Sequence, residues 1–345
     1  MTSTAVPAGE PRGAIRPGPA RVSVVIPTWN GGARFRELLA ILGRQTIPGG
    51  FELVVVDSGS GDGTAEAAEA AGARVHRIPQ AEFNHGGTRN LGIGLASGEL
   101  VALLTQDAVP RGEDYLERLL APLADGGRAV DGVYARQFPR PDCDPILAER
   151  LRQWSASREE PTVSSLAPGD PGASRGAFEA LEPFERYLRC AFDNVASALR
   201  RGAWERHPFP ERNFGEDVAW AREVLLDGGA IAFEPRAEVE HSHRIDMGRE
   251  FRRIYRDHKN LSALFGLRNV PSWGAVLRGW KHQRGFYREL LAAQGLPGLR
   301  SLYWRAYSVP YALLETAAQF LGARSHWKVE ESRFWSWVDR RLCAD

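Results

Sequence analysis

Four short stretches of this chain carry side chains that could do chemistry. Asp57 closes the apolar run FELVVVD, and Asp107 follows the run LVALL in Thr105-Gln106-Asp107. Glu216 and Asp217 follow Gly215, and His241 and His243 bracket a serine. Carboxylates can take up a proton or hold a cation. Imidazoles two residues apart on an extended strand share one face, where they can share a ligand or simply pack. Arg249, Arg252, Arg253 and Arg256 recur at three- and four-residue steps. That spacing puts them on one helix face, as an anion contact or as a solvated stripe.

These groups need elements to hold them. Arg21–Pro27 (RVSVVIP) and Phe51–Asp57 read as short buried strands, being apolar, β-branched and bounded by turn residues, and Arg74–Ile78 and Leu100–Leu104 read as a third and a fourth strand. Phe35, Leu38, Leu39 and Leu42 recur at helical spacing between the first two strands, and an Ala/Glu-rich helix capped by Asp62 or Thr64 follows the second. A helix over Gly87–Ala96 separates the last two strands. Strands and helices alternating at this rhythm predict an α/β sheet, mostly parallel and flanked by helices. Ligands of such sheets sit at the carboxyl ends of the strands, which would bring Thr28, Asp57 and Asp107 to one edge. The turn SGSGDG lacks the third glycine of a dinucleotide fingerprint, and no phosphate loop of the GxxxxGK[ST] type occurs. Further on, Asp142–Ser157 reads as a helix, and Glu160–Arg175 as a Pro/Ser/Gly-rich loop long enough to be a lid or a disordered excursion. Phe214–Leu226 reads as a helix and Ala230–Phe233 as a strand. Helical patterns then dominate: Arg249–Phe265, Trp273–Ala293, Leu299–Leu321 and Glu330–Leu342.

Composition sets the outer limits. With 345 residues, 43% hydrophobic and 25% charged, the chain can bury a real core, which excludes a disordered or disulfide-stapled protein. Its three cysteines are scattered, without zinc-finger spacing, as suits a reducing compartment. Residues 1–20 read as a flexible tail, 21–248 as the α/β domain, and 249–345 as a helical region. No run of eighteen apolar residues occurs, so a cytoplasmic protein, at most peripheral on the inner face of the plasma membrane, is expected. Net charge is +9 over residues 249–345 and −8 over the rest, and six of the ten tryptophans fall in the basic part. A basic, Trp-rich region can meet an anionic surface, a lipid diphosphate or nucleic acid, or can be a solvated helical appendage. No nucleic-acid-binding motif accompanies it, so no nucleic acid is expected as a partner. Peripheral membrane contact through helices near Leu299–Leu321 is the expected addition, and a homo-oligomer is compatible with the sequence.

VSVVIPTWNGG, FELVVVDSGSGDGT and FNHGGTRNLGIGLASGELVALLTQDAVP, in that order and spacing, closely resemble an inverting family-2 glycosyltransferase of the GT-A fold. The resemblance covers about Val22–Val239. FNHGGTRN and TQDA are most similar to the bacterial rhamnosyltransferase branch, as are NVASALRRGAWERHPFPERNFGEDVAWA and EVEHSHRIDMGREFRRIY. It implies that Pro27, Thr28, Asn30, Asp57 and Ser58 line a nucleotide pocket, with Asp57 accepting a hydrogen bond from the pyrimidine ring. It implies further donor contacts from His85, Arg89, Asn90, Gln106 and Asp107, with Arg89 near a helix N-terminus placed for the diphosphate. Where most GT-A enzymes carry a DXD-like motif, this chain keeps only Asp107, and His241 or His243 is implied as its partner on Mn²⁺ or Mg²⁺. Imidazole favours Mn²⁺. FGED resembles the family's ED motif, which makes Asp217 the base that deprotonates the acceptor and Glu216 its support. Arg249, Arg252 and Arg253 are the implied contacts of an acceptor or diphosphate. The function implied is inverting transfer of a sugar, L-rhamnose from dTDP-L-rhamnose favoured, to a polysaccharide or lipid-linked glycan precursor. The alternatives are a UDP- or GDP-sugar-dependent transferase and a sugar-nucleotide-binding protein without transfer.

Overall fold

The computed structural model describes residues 15, 16, 18, 20–124, 130–212 and 214–343. Most of the stretch 1–20, expected to be a tail, lies outside them. Within it Ile15 bridges to Phe51, and the Arg16 amide donates to the Phe51 carbonyl at 2.8 Å. The chain folds into two compact units: one from the residues up to Phe138 with Trp154–Glu179 and Cys190–His241, the other from Pro139–Gln153, Ala180–Arg189 and Ser242 onward.

The first unit opens with β1 (Val22–Thr28), α1 (Gly32–Leu42), β2 (Glu52–Asp57), α2 (Thr64–Ala70), β3 (Arg74–Arg77), α3 (His85–Leu95) and β4 (Leu100–Leu104). It continues with β5 (Val109–Pro110), α4 (Tyr115–Ala124) and β6 (Gly132–Phe138). After α5 (Pro145–Arg152), which belongs to the second unit, come β7 (Thr162–Ser165) and α6 (Pro171–Ala180). After α7 (Pro183–Arg189), also in the second unit, β8 (Ala196–Arg200), α8 (Arg201–Arg206), α9 (Glu216–Leu226) and β9 (Ala230–Glu240) close the first unit.

Among the described residues, nine strands join one sheet, in the order β3-β2-β1-β4-β8-β6-β9-β5, with β7 also on β9. The parallel pairing expected from the βαβ rhythm holds for β3, β2, β1 and β4. Beyond β4 the sheet is mixed: β8 runs antiparallel to both β4 and β6, and β6 runs parallel to β9. Leu38, Leu42, Val24, Ile26, Leu53, Val55, Ala102, Leu104, Leu119 and Val133 share one buried core, each large aliphatic side chain contributing about 1.5–3 kcal/mol of burial. Gly92 of α3 lets that helix lie against the sheet, since a Cβ there would run into Val25 and Val56.

The loop expected over Glu160–Arg175 is instead a strand and a helix. Thr162–Ser165 pairs antiparallel with Phe233–Ala230 of β9, and Asp170 caps the next helix through the Ala173 amide at 2.9 Å. A polar segment can be a strand where only one side of it is covered and a neighbour takes its backbone hydrogen bonds, which a periodicity reading misses.

The second unit is helical: α5 and α7 with α10 (Met247–Phe265), α11 (Trp273–Ala293), α12 (Gly298–Glu331) and α13 (Arg333–Cys343). Helix α12 runs on past Leu321, carrying Pro310 within it. Ile146, Tyr287, Leu291, Trp304, Tyr311 and Ala312 form its main core. A polar cluster lies inside: Arg150 meets Glu250 at 2.8 Å and Glu315 at 3.6 Å, and the hydroxyls of Tyr311 and Tyr287 donate to these carboxylates at 3.1 and 2.8 Å. No described helix is long and apolar enough to cross a membrane.

Candidate active site

One edge of the first unit's sheet collects the chemistry. The carboxyl ends of β1 and β2 lie side by side, Thr28 opposite Asp57, and β4 ends beside them three residues before Asp107. Because β8 is antiparallel, it starts at this edge, Ala196 opposite Leu104, so Asp193 and Asn194 enter the site just ahead of it. Strands β6 and β9 finish there too, Phe138 opposite Glu240, and deliver His241.

The loops after β1 and β2 are knitted together. The Asn30 amide donates to Ser60 Oγ (2.8 Å), Gly61 N to Asn30 Oδ1 (2.9 Å) and Gly31 N to Thr64 Oγ1 (2.8 Å). Asn30 itself sits at φ +46°, in the left-handed region that Asn tolerates better than most residues. Gln106 clamps the neighbouring Trp29, accepting from its amide at 2.8 Å and donating to its carbonyl at 3.0 Å. Its amide group is therefore used to fix the loop. Pro27 stands opposite Val56, and the Ser58 amide donates to the Thr28 carbonyl at 2.8 Å. Ser58 Oγ is buried without a protein partner among the described residues. Asp57 is buried and fully engaged: Oδ1 accepts from Thr28 Oγ1 (3.0 Å) and Ser60 Oγ (2.5 Å), Oδ2 from Ser60 N (2.9 Å) and Gly59 N (3.2 Å). A carboxylate offers about four acceptor positions. A base N–H can reach Asp57 only by displacing one of these donors, and the Ser60 hydroxyl, which rotates freely, is the one that can yield.

The start of α3 also differs from its expectation as an anion site. Asn84 Oδ1 already accepts from the amides of Gly86 (3.1 Å) and Gly87 (2.9 Å). Asn90 is occupied as well, donating to the Phe209 carbonyl (2.8 Å) and accepting from Trp204 Nε1 (2.8 Å) and Phe209 N (3.0 Å). His85 accepts at its carbonyl from Arg89 Nη1 (3.0 Å), with its ring edge-on to Phe83. Arg89 is only 4% exposed and is ion-paired with Glu216, itself 5% exposed, at 3.0 Å. Asn194 Nδ2 donates to the same Glu216 oxygen at 3.2 Å. Arg89 and Glu216 thus brace the site from beneath.

Asp217 is placed differently from its neighbour. It is only partly buried, and its carboxylate accepts from two backbone amides, Val218 N at 2.8 Å and Asn194 N at 3.4 Å, which leaves acceptor positions open. Loss of water around it, then the charges of Glu216 and Asp193, push its pKa well above the ordinary carboxylate range, against the opposing pull of Arg89. Asp193 is raised too, chiefly by desolvation, while Gln137 (2.7 Å), Trp154 (3.2 Å) and Val195 N (2.9 Å) hold it. Asp193 escaped the sequence reading, and Asn194 stood at the head of a quoted stretch without being singled out. Their only local signal is a polar pair at the mouth of an apolar run, and the direction of that strand decides which edge they reach.

Asp107 Oδ1 lies 3.6 Å from His241 Nε2. His243 follows two residues later, so the chain itself keeps it near, and one ligand atom from each of the three lies within 4.8 Å of the others. One carboxylate and two imidazoles form a donor set that first-row divalent cations accept. The arginines of α10 do not act as one face. Arg253 is paired with Glu250 through two 3.0 Å hydrogen bonds, and Arg256 donates to the Leu342 carbonyl at 3.1 Å, whereas Arg249 and Arg252 are exposed.

Known proteins share both the sequence and the fold. Residues 23–176 match the glycosyl transferase family 2. The O-antigen chain rhamnosyltransferase WbaN of Salmonella anatum is 30% identical over 89% of this chain and 90% of its own length. This chain is a family-2 glycosyltransferase. A second relative, the O-antigen chain rhamnosyltransferase RfbN of Salmonella typhimurium, is 29% identical over the same shares of the two chains. Among solved structures, glucosyl-3-phosphoglycerate synthase from Mycobacterium tuberculosis, in complex with Mn²⁺, UDP-glucose and phosphoglyceric acid, superimposes with a TM-score of 0.51 at 21% identity. That match covers 76% of this glycosyltransferase and 90% of the synthase, and the shared fold is GT-A.

Proposed function

We propose that this glycosyltransferase moves L-rhamnose from dTDP-L-rhamnose, with inversion, onto a hydroxyl of a polysaccharide or lipid-linked glycan precursor in the cytoplasm. The observation that carries the reading is the match to two O-antigen chain rhamnosyltransferases along nearly the whole chain, not only along the nucleotide-binding half.

The residues support a division of labour. The loops after β1 and β2, including Thr28, Asn30, Asp57 and Ser58, form a rigid cradle for the nucleotide. Asp217 takes the acceptor proton as its hydroxyl attacks the anomeric carbon from the face opposite the diphosphate; its raised pKa makes the ionised carboxylate a stronger base. Glu216 and Arg89 fix the backbone from which Asp217 projects. Asp107, His241 and His243 would hold Mn²⁺ or Mg²⁺, which when bound offsets charge on the leaving diphosphate. The two imidazoles favour Mn²⁺.

A calorimetric titration with dTDP-rhamnose, UDP-glucose and GDP-mannose, each with and without Mn²⁺, tests this. The expected result is tightest binding of the dTDP sugar, strengthened by Mn²⁺. Tighter binding of a UDP or GDP sugar would replace the donor assignment and keep the chemistry. Binding of no sugar nucleotide would remove the reading.

A further inference from the structure

The outer face of helices α11 and α12 is apolar, cationic and open to solvent. On α12, Leu299 is 84% exposed, Leu302 65% and Tyr303 57%, and Val309 and Leu313 continue the same stripe at helical spacing. The neighbouring α11 extends it. Trp280 Nε1 donates to the Val309 carbonyl at 3.1 Å, and the Trp273 ring lies 4.7 Å from Phe320, so Trp273 and Leu277, both exposed, sit beside the middle of α12. A soluble surface seldom leaves this many large apolar side chains contiguous.

Charge identifies what covers the face. Residues 273–288 and 298–314 contain no Asp or Glu, but they do contain Arg278, Lys281, Arg284, Arg288, Arg300 and Arg305, all exposed. A second copy of this chain placed face to face would bring these cations against their own kind. A neutral apolar partner would leave them without a counter-charge. An anionic bilayer satisfies both features at once: the leucines and aromatic rings enter the headgroup–acyl boundary while the arginines and the lysine meet phosphates. We propose that α11 and α12 form an interfacial membrane-binding face that docks this glycosyltransferase on anionic phospholipid. The inference is independent of the donor sugar, since it uses none of the residues of the sheet edge.

The test is flotation of the full-length protein with vesicles of phosphatidylcholine alone or mixed with phosphatidylglycerol. The wild type is expected to float with the mixed vesicles and to partition onto them about tenfold more strongly than onto neutral ones, an advantage reduced at high salt. Leu302→Glu/Val309→Glu/Leu313→Glu, made at exposed positions, is expected to abolish flotation with an unchanged circular dichroism spectrum and melting temperature. Arg278→Gln/Arg284→Gln/Arg305→Gln is expected to bind mixed vesicles about as weakly as neutral ones. Absence of wild-type binding to mixed vesicles, or flotation of the folded triple-Glu protein at the wild-type level, would overturn the proposal. So would analytical ultracentrifugation showing a wild-type oligomer that the triple-Glu change dissolves, because the face would then be a contact between copies.

Discussion

Glu216 and Asp217 are adjacent in sequence and opposite in environment. Glu216 is buried against Arg89 and Asn194, while Asp217 is partly open and in the field of Glu216 and Asp193. The first arrangement suits a positioning role, and the second suits the base proposed above. Asp217→Asn is therefore expected to lower transfer by about 10²–10⁴-fold while nucleotide-sugar affinity changes little. The same substitution is expected to raise stability at alkaline pH. A carboxyl whose folded pKa stands above its unfolded value binds more protons in the native state, so its contribution is full below the unfolded pKa, about 4. That contribution is lost as pH rises through the raised folded pKa. Melting curves of wild type and Asp217→Asn should coincide near pH 3 and separate above it, with the variant the more stable. Wild-type transfer should rise with pH through the same window, as the base ionises. A variant that melts lower than the wild type at pH 8 would mean that the carboxylate is stabilising and that its pKa is not raised in the folded protein.

At the scale of elements, α3 lies close to the sheet at one glycine, Gly92. An exposed helical Gly→Ala change normally stabilises by up to about 1 kcal/mol. At Gly92 the sign should reverse, because the new methyl group meets Val25 and Val56 in the packed core. Gly92→Ala is expected to cost about 1–3 kcal/mol in urea unfolding, and a stabilised variant would show that α3 rides farther from β1 and β2. The elements also show where sequence reading works. Strands β1, β2 and β4 are legible because strands buried on both faces are continuous apolar runs, and α11 because its ends are marked, Ser272 capping through the Ala275 amide at 3.1 Å. Strand β7 is not legible, since Thr162–Ser165 is as polar as a loop and becomes a strand only by pairing with β9.

Across the whole molecule, units and chain order do not coincide. Helix α5 precedes β7, β8 and β9 in sequence yet belongs to the helical unit, where Arg150 bridges Glu250 of α10 and Glu315 of α12. Arg150→Met would leave buried Glu315 without its cation and Glu250 with Arg253 alone, at a cost of about 3–5 kcal/mol. Hydrogen exchange is expected to show the loss of protection in α10–α12 with β1, β2 and β4 unchanged. Uniform protection in α10–α12 after the substitution would mean that the cluster is dispensable.

The sequence alone determined the α/β start, the family resemblance, the strand-end acids and the basic, Trp-rich helical end, because apolar periodicity, turn residues and charge counts are local properties. Only the tertiary structure decided that β8 runs antiparallel and brings Asp193 and Asn194 to the site. It also buried Arg89 on Glu216, filled the acceptor positions of Asp57, and parted Arg253 and Arg256 from the exposed Arg249 and Arg252. Each of these depends on partners far away in the chain, and a side chain's hydrogen bonds and burial are set by what folds against it rather than by its neighbours in sequence.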